Sequence, residues 1–191
     1  MQKNLDNYVM VLQNRVSSDI CNETINDIPN LNAKKATFLN YQGEQKVNPG
    51  EEERYEIQGS DAVPIKTREA LMQIIWNGVN DYYNHYNFDW HKSWNGFTVP
   101  KYNIYNESSL MTEHIDHIHA CFDGDIKGIP TLSVVGLLND DFDGGDFVMF
   151  TDTKIPLSKG DLLIFPSLFL YPHRVDTITR GTRYSFVSWV Y

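Results

Sequence analysis

Cysteine is scarce: the 191 residues hold two, Cys21 and Cys121, far apart in the chain. Two thiols build no disulfide framework, and a chain of this length buries enough surface to fold without one. A reducing cytoplasm is the expected setting. Long apolar runs are missing too, and nothing approaches the ~20 residues of a helical membrane span. The first twenty residues carry an early lysine and an aspartate, with no apolar stretch ending in a small-residue cleavage site, so no secretory signal is expected there. Positive charge is in deficit. Sixteen Lys and Arg against 25 Asp and Glu give a net charge of −9 and a pI near 5.0. Phosphate backbones are gripped by clustered Lys and Arg, so nucleic acid is not an expected partner. No internal repeat or low-complexity stretch occurs, and no Ser-His-Asp or Cys-His arrangement is visible.

Aromatic residues are plentiful at 13%, including 11 Tyr, which suits a β-rich core or a lined pocket. The expected organisation is a single domain over 1–191, with a strand and helix layer over 1–95 and a β core over 96–191. Residues 8–13 (YVMVLQ) read as a short strand. Ser17 and Ser18 are placed to cap a helix over 19–28 that Pro29 stops. Residues 40–64 contain Pro49–Gly50, three consecutive glutamates and Gly59. They read as a mobile surface loop or hairpin, the glutamates as a solvated face, and the whole as a possible lid over a site. Over 66–87, Leu71, Ile74, Ile75, Gly78, Val79, Tyr82 and Tyr86 recur at three- and four-residue spacing, the stripe of a long helix lying on a sheet.

After Trp94 the texture changes to short β-prone runs at 101–105, 131–138, 146–150, 161–165, 173–178 and 182–190, separated by turn-forming residues. Such spacing predicts a sandwich or barrel with the helices packed outside.

Three of the six histidines fall in TEHIDHIHACF, at 114, 117 and 119, and another is His173. In extended chain, residues two apart share a face, so His114 and Asp116 converge while His117 and His119 point away. With His173 from a distant strand they make two imidazoles and one carboxylate. That donor set holds Fe(II) and leaves positions open for small molecules. Arg183 follows His173 by ten residues, which suggests two adjacent antiparallel strands feeding one cavity. A buried arginine needs a partner. It is either a dicarboxylate ligand read by the guanidinium fork or a protein carboxylate such as Asp176 or Asp161. The acidic cluster Asp140, Asp141, Asp143 and Asp146 lacks the EF-hand spacing and reads as a solvated turn.

Tyr105, the HID triplet at 114–116, LLNDDFDGGDFVMF (137–150), KGDLLIFPS (159–167), HRV (173–175) and GTRYSFVSWVY (181–191) occur in order. In this order and spacing, residues 100–191 resemble the prolyl 4-hydroxylase-like Fe(II)/2-oxoglutarate dioxygenases. The resemblance implies a double-stranded β-helix, the jelly-roll or cupin-like core. It implies His114, Asp116 and His173 as iron ligands, and Arg183 on the distal carboxylate of 2-oxoglutarate. Tyr105 is implied beside the co-substrate with Tyr102 as a second candidate, and Val175 and Trp189 as pocket lining. Gly144–Gly145 matches the turn by which a strand enters the barrel. It further implies O2 as co-substrate, leaves room for ascorbate as reductant, and points to hydroxylation of an aliphatic C–H with release of succinate and CO2. The implied substrate is a prolyl residue in a peptide or protein. A free amino acid or small metabolite, and a non-catalytic jelly-roll module binding a metal or ligand, stand as alternatives. Two features depart from the family pattern. Leu137 stands where some relatives have a co-substrate-binding tyrosine, and His117 and His119 are extra. Asp116 argues against halogenating relatives, which need a small residue there.

Overall fold

The computed structural model describes residues 4–39, 42, 44–87, 94, 96–116 and 128–191. His117, His119 and Cys121 lie outside them. Two sheets face one another. The major sheet has seven strands in the order Met10–Leu12, Leu162–Pro166, Leu132–Leu137, Arg183–Val190, Lys101–Tyr105, Arg54–Ile57 and Lys34–Lys35. The minor sheet runs Thr153–Ile155, Phe147–Met149, His173–Val175 and Met111–His114. All these pairings are antiparallel. This is the expected double-stranded β-helix.

Helix α1 (Ser18–Asp27) begins where the Ser17 side chain accepts from the Ile20 N–H, and Pro29 lies in the short 3-10 turn that follows. Helix α2 (Arg68–Tyr86) buries Leu71, Ile75, Gly78, Val79 and Tyr82. A Cβ at Gly78 would stand 3.2 Å from Leu162 Cδ1, so glycine lets the helix settle close to the sheet. The helix ends at Asn87 in the left-handed region, φ 49°, a common terminator.

Strand alternation then divides the core in two. Along Arg183–Val190, Tyr184, Phe186 and Val190 join the helix-side cluster with α2, Tyr102 and Ile104. Val187 and Trp189 join the inter-sheet cluster with Tyr105, Phe147, Phe165 and Val175. A side chain such as Phe165, wholly buried, contributes roughly 2–3 kcal/mol through the area it removes from water.

The N-terminal half is more than an outer layer, because Met10–Leu12, Lys34–Lys35 and Arg54–Ile57 are strands of the major sheet. Within 40–64, expected as a loop or hairpin, the described residues include a hairpin strand and, beyond that expectation, a strand of the major sheet. Gln45–Lys46 pairs with Phe38–Leu39 as a hairpin, and Arg54–Ile57 pairs with Lys101–Tyr105. The glutamate run also divides. Glu52 and Glu53 are exposed, whereas Glu51 is 1% exposed and meets Arg54 at 2.6 Å. Among the described residues, no helix is long and apolar enough to cross a membrane.

Candidate active site

His114 closes one minor-sheet strand and lies opposite His173 on the next, with the two rings 4.3 Å apart. Asp116 follows two residues later, beyond the strand end. Its Oδ1 lies 3.7 Å from His114 Nε2 and 3.8 Å from His173 Nε2. One donor atom from each residue falls within 4.8 Å of the others. The three side chains thus converge as the sequence suggests.

Each is held from behind. His114 Nδ1 bonds the Thr112 carbonyl at 2.9 Å and His173 Nδ1 the Tyr171 carbonyl at 3.1 Å. With these Nδ1–H donors engaged, each Nε2 is left to face the centre. Ser133 donates to Asp116 Oδ2 at 2.5 Å and shares a 2.6 Å bond with Ser167, which turns Oδ1 inward. His173 is 2% exposed, between Phe147 at 5.3 Å and Phe165 at 4.9 Å. Burial presses its pKa down despite the neighbouring Asp116. Burial also opposes charge on Asp116, but the nearby His114 and His173 and the Ser133 hydroxyl hold its carboxyl below the usual range. A neutral imidazole and an ionised carboxylate are the forms that bind a divalent cation, and two imidazoles with one carboxylate fit Fe(II).

The triad opens into a cavity of about 720 Å³ between the sheets, with Arg183, Tyr105, Val175 and Trp189 in its wall. Arg183 and Tyr105 are paired in register, and the guanidinium lies 5.3 Å from the ring centre. Arg183 is 2% exposed. Among the described residues its recorded partner is the Ser185 hydroxyl at 2.9 Å, while its Nε has none. Burial pushes its pKa down, with Tyr105 acting the other way. The two carboxylates that the sequence offered as partners are engaged elsewhere, Asp176 with Arg174 and Asp161 with the backbone N–H groups of Asn14 and Ser158. His173 and Arg183 are not on adjacent strands, as their spacing suggested. They belong to different sheets and reach the cavity from opposite sides.

Tyr102 is corrected. It lies wholly buried on the helix side of the major sheet and does not line the cavity. It stands three residues from Tyr105, and the two cannot share a face of one strand. The same period of two would have found Asn103 and Ser185, which do line the cavity and which sequence reasoning missed. Asn103 Oδ1 and Trp189 Nε1 are buried there without a partner among the described residues. Two further cations of the cavity wall are compensated, Arg54 by Glu51 at 2.6 Å and Lys101 by Glu56 at 3.2 Å. Behind Arg183, Gly144 and Gly145 have φ of +76° and +65°. A Cβ on Gly144 would lie 2.2 Å from the Thr177 carbonyl oxygen, so the turn requires glycine. In the acidic cluster, Asp143 pairs with Arg180 and Asp146 with Lys154.

Comparison with known proteins agrees with this geometry. Residues 100–191 match the family model of the 2OG-Fe(II) oxygenase superfamily. A PKHD-type hydroxylase of Acinetobacter baylyi is 35% identical over 98 residues, 48% of this chain and 42% of that protein. One from Delftia acidovorans is 28% identical over the same shares. The aligned stretch therefore spans less than half the length of these curated relatives. Among solved structures, the viral collagen prolyl hydroxylase of Paramecium bursaria Chlorella virus-1 superposes with a TM-score of 0.64 at 16% identity, over 96% of this chain and 94% of its own. A Pseudomonas putida prolyl-4-hydroxylase gives 0.61 at 19%, over 95% and 91%. A Trichoplax adhaerens prolyl hydroxylase, solved with a hypoxia-inducible-factor peptide fragment, gives 0.66 at 18%, over 97% and 84%. Residues 100–191 are thus similar in sequence to the 2OG-Fe(II) oxygenase superfamily. The fold is that of these prolyl hydroxylases, and the likeness extends through the N-terminal half. That superfamily uses Fe(II) with 2-oxoglutarate and O2, and His114, Asp116 and His173 present a donor set that fits such a metal.

Proposed function

We propose that this chain is a dioxygenase that hydroxylates an aliphatic C–H, a prolyl residue in a peptide or protein being the favoured substrate, with release of succinate and CO2. The observation that carries the reading is the convergence of His114, Asp116 and His173 in one cavity with Arg183, a buried cation with no carboxylate partner among the described residues. His114, Asp116 and His173 would hold Fe(II), which supplies O2 activation at the positions they leave open. Arg183 would bind the distal carboxylate of 2-oxoglutarate, with Tyr105 stacked beside it and Val175 and Trp189 excluding water. Leu137 leaves no tyrosine hydroxyl at that position, and Ser185 stands next to Arg183 to take its place. The Ser185 oxygen accepts from Arg183, and its own proton remains to be donated.

Charge favours a residue inside a chain over a free amino acid. Arg54 and Lys101 already have carboxylate partners, so a free α-carboxylate and α-ammonium would enter without counter-charges and lose their solvation. A peptide brings neutral amides, for which Asn103 Oδ1 and Trp189 Nε1 offer an acceptor and a donor. That the Trichoplax neighbour was solved with a peptide supports the same choice.

The test begins anaerobically. Fe(II) and 2-oxoglutarate are expected to give a weak visible charge-transfer band, and O2 is then expected to yield succinate, accelerated by proline-containing peptides. Folded protein showing neither band nor succinate would favour a non-catalytic binding module. Coupling to free amino acids and not to peptides would overturn the substrate reading alone.

A further inference from the structure

We propose that Glu51 is a positioning residue for the metal-facing nitrogen of His114, acting through Thr112, an inference that rests on the metal reading above. Met111–His114 is the edge strand of the minor sheet, and an edge strand carries backbone groups with no ladder partner. At Thr112 those groups are claimed by side chains. Glu51 Oε1 accepts from the Thr112 N–H at 2.9 Å and from its hydroxyl at 2.7 Å. The Thr112 carbonyl accepts from His114 Nδ1 at 2.9 Å. One carboxylate oxygen thus clamps the residue whose carbonyl sets the His114 ring, and through the ring the direction of Nε2.

The other oxygen, Oε2, accepts from Arg54 NH1 at 2.6 Å. Arg54 lies on the major sheet, in register with Tyr105, whose other cross-strand partner is Arg183. Glu51 therefore spans the two sheets and couples the wall that carries Arg183 to the strand that carries His114. The neighbouring peptide is tied as well, since the Leu110 N–H donates to the Gly50 carbonyl at 2.9 Å. Glu51 and Arg54 are 1% and 2% exposed. A merely structural clasp would be measured in stability alone. A positioning clasp also changes metal affinity in protein that stays folded, because residues that orient ligands change that affinity about 10- to 100-fold when lost.

Removing Glu51 alone would leave the buried Arg54 charge with only Glu56, 4.0 Å away and already paired with Lys101, so two double variants are compared. E51Q/R54M and E51A/R54M both lack the ion pair. They differ in whether residue 51 still offers Thr112 an acceptor oxygen. Binding of Co(II) to metal-free protein is followed by its visible d–d absorption, with thermal melting in parallel. E51Q/R54M is expected to keep the wild-type dissociation constant and band shape. E51A/R54M is expected to bind about tenfold more weakly with an altered band. Equal affinities and spectra in the two folded variants would overturn the proposal. Thr112→Ala is a milder probe should E51A/R54M not fold, as it removes the hydroxyl's bonds to Glu51 and Asn48 and leaves every buried charge paired. A several-fold weaker Co(II) affinity supports the proposal, and an unchanged one overturns it. Wild-type protein that takes up no Co(II) would instead overturn the metal reading, and this inference with it.

Discussion

Arg183 and Tyr105 sit opposite one another on paired strands, the guanidinium carbon 5.3 Å from the ring centre. Arg54 approaches the same ring at 5.6 Å. The two buried arginines differ in their partners: Arg54 has Glu51, and Arg183 has no carboxylate among the described residues. An uncompensated buried charge costs several kcal/mol, which supports the proposal that Arg183 binds an anion from solution. Arg183→Ala is expected to raise the apparent KM for 2-oxoglutarate about 10- to 100-fold, since hydrogen bonds to a charged group contribute about 1.5–3 kcal/mol. The melting temperature should hold, because no carboxylate among the described residues loses a partner. Arg183→Lys keeps the charge but not the fork and should recover only part of the affinity. An unchanged 2-oxoglutarate dependence in Arg183→Ala would assign the carboxylate to another group.

His173→Ala is expected to abolish metal uptake and succinate formation while the protein remains folded. The ring packs between Phe147 and Phe165, so the vacated space should cost about 2–3 kcal/mol of stability, well short of the ~5–15 kcal/mol of a typical domain. Circular dichroism and a metal titration on one sample check both statements. Retained metal binding at wild-type affinity would remove His173 from the ligand set.

Much of the fold and the site can be read in the sequence, and the failures share a physical cause. The strands at 101–105, 131–138 and 161–165 and the α2 stripe are local patterns, and the structure has them as Lys101–Tyr105, Leu132–Leu137, Leu162–Pro166 and Arg68–Tyr86. His114 and Asp116 are two apart, which local geometry resolves. Arg54–Ile57 is strand through its pairing with Lys101–Tyr105, a long-range contact that a polar, glutamate-rich segment does not announce. Glu51 is buried for the same reason, since Arg54 and Thr112 bring its partners from two sheets. Which sheet receives His173 and which Arg183 is likewise a matter of topology. Tyr102 is different, because the period-two rule applied from Tyr105 was enough to exclude it.

Cys21 gives a prediction about reactivity. It is wholly buried in the helix-side core, and burial raises its thiol pKa from 9.0 to about 11. Thiolate is the reactive form, so in a Cys121→Ser background Cys21 should resist a thiol-specific disulfide reagent at pH 8 until the protein unfolds. The sign of the linkage follows. With the folded pKa above the unfolded one, the stability contribution is complete below the unfolded value and is lost as pH rises towards 11. Cys21→Ala should therefore flatten the alkaline limb of a stability profile. Rapid labelling of native protein would contradict the burial.

Ser133 tests how the carboxylate is aimed. Its hydroxyl meets Asp116 Oδ2 at 2.5 Å and Ser167 Oγ at 2.6 Å, and both serines are buried. With Oδ2 engaged, Oδ1 is the oxygen within 3.8 Å of both histidine Nε2 atoms. Ser133→Ala releases the carboxylate to rotate and leaves Oδ2 buried without its donor. The expected loss is about 10- to 100-fold in metal affinity, with about 1.5–3 kcal/mol of stability. Ser167→Ala removes only the outer member of the chain, so its loss of metal affinity should be smaller and in the same direction. Calorimetric titration of Mn(II) into the metal-free proteins gives the order directly: wild type tightest, then Ser167→Ala, then Ser133→Ala. A Ser133→Ala protein that melts lower but binds Mn(II) as tightly as wild type would show that the hydroxyl supports the sheet and has no part in aiming Asp116.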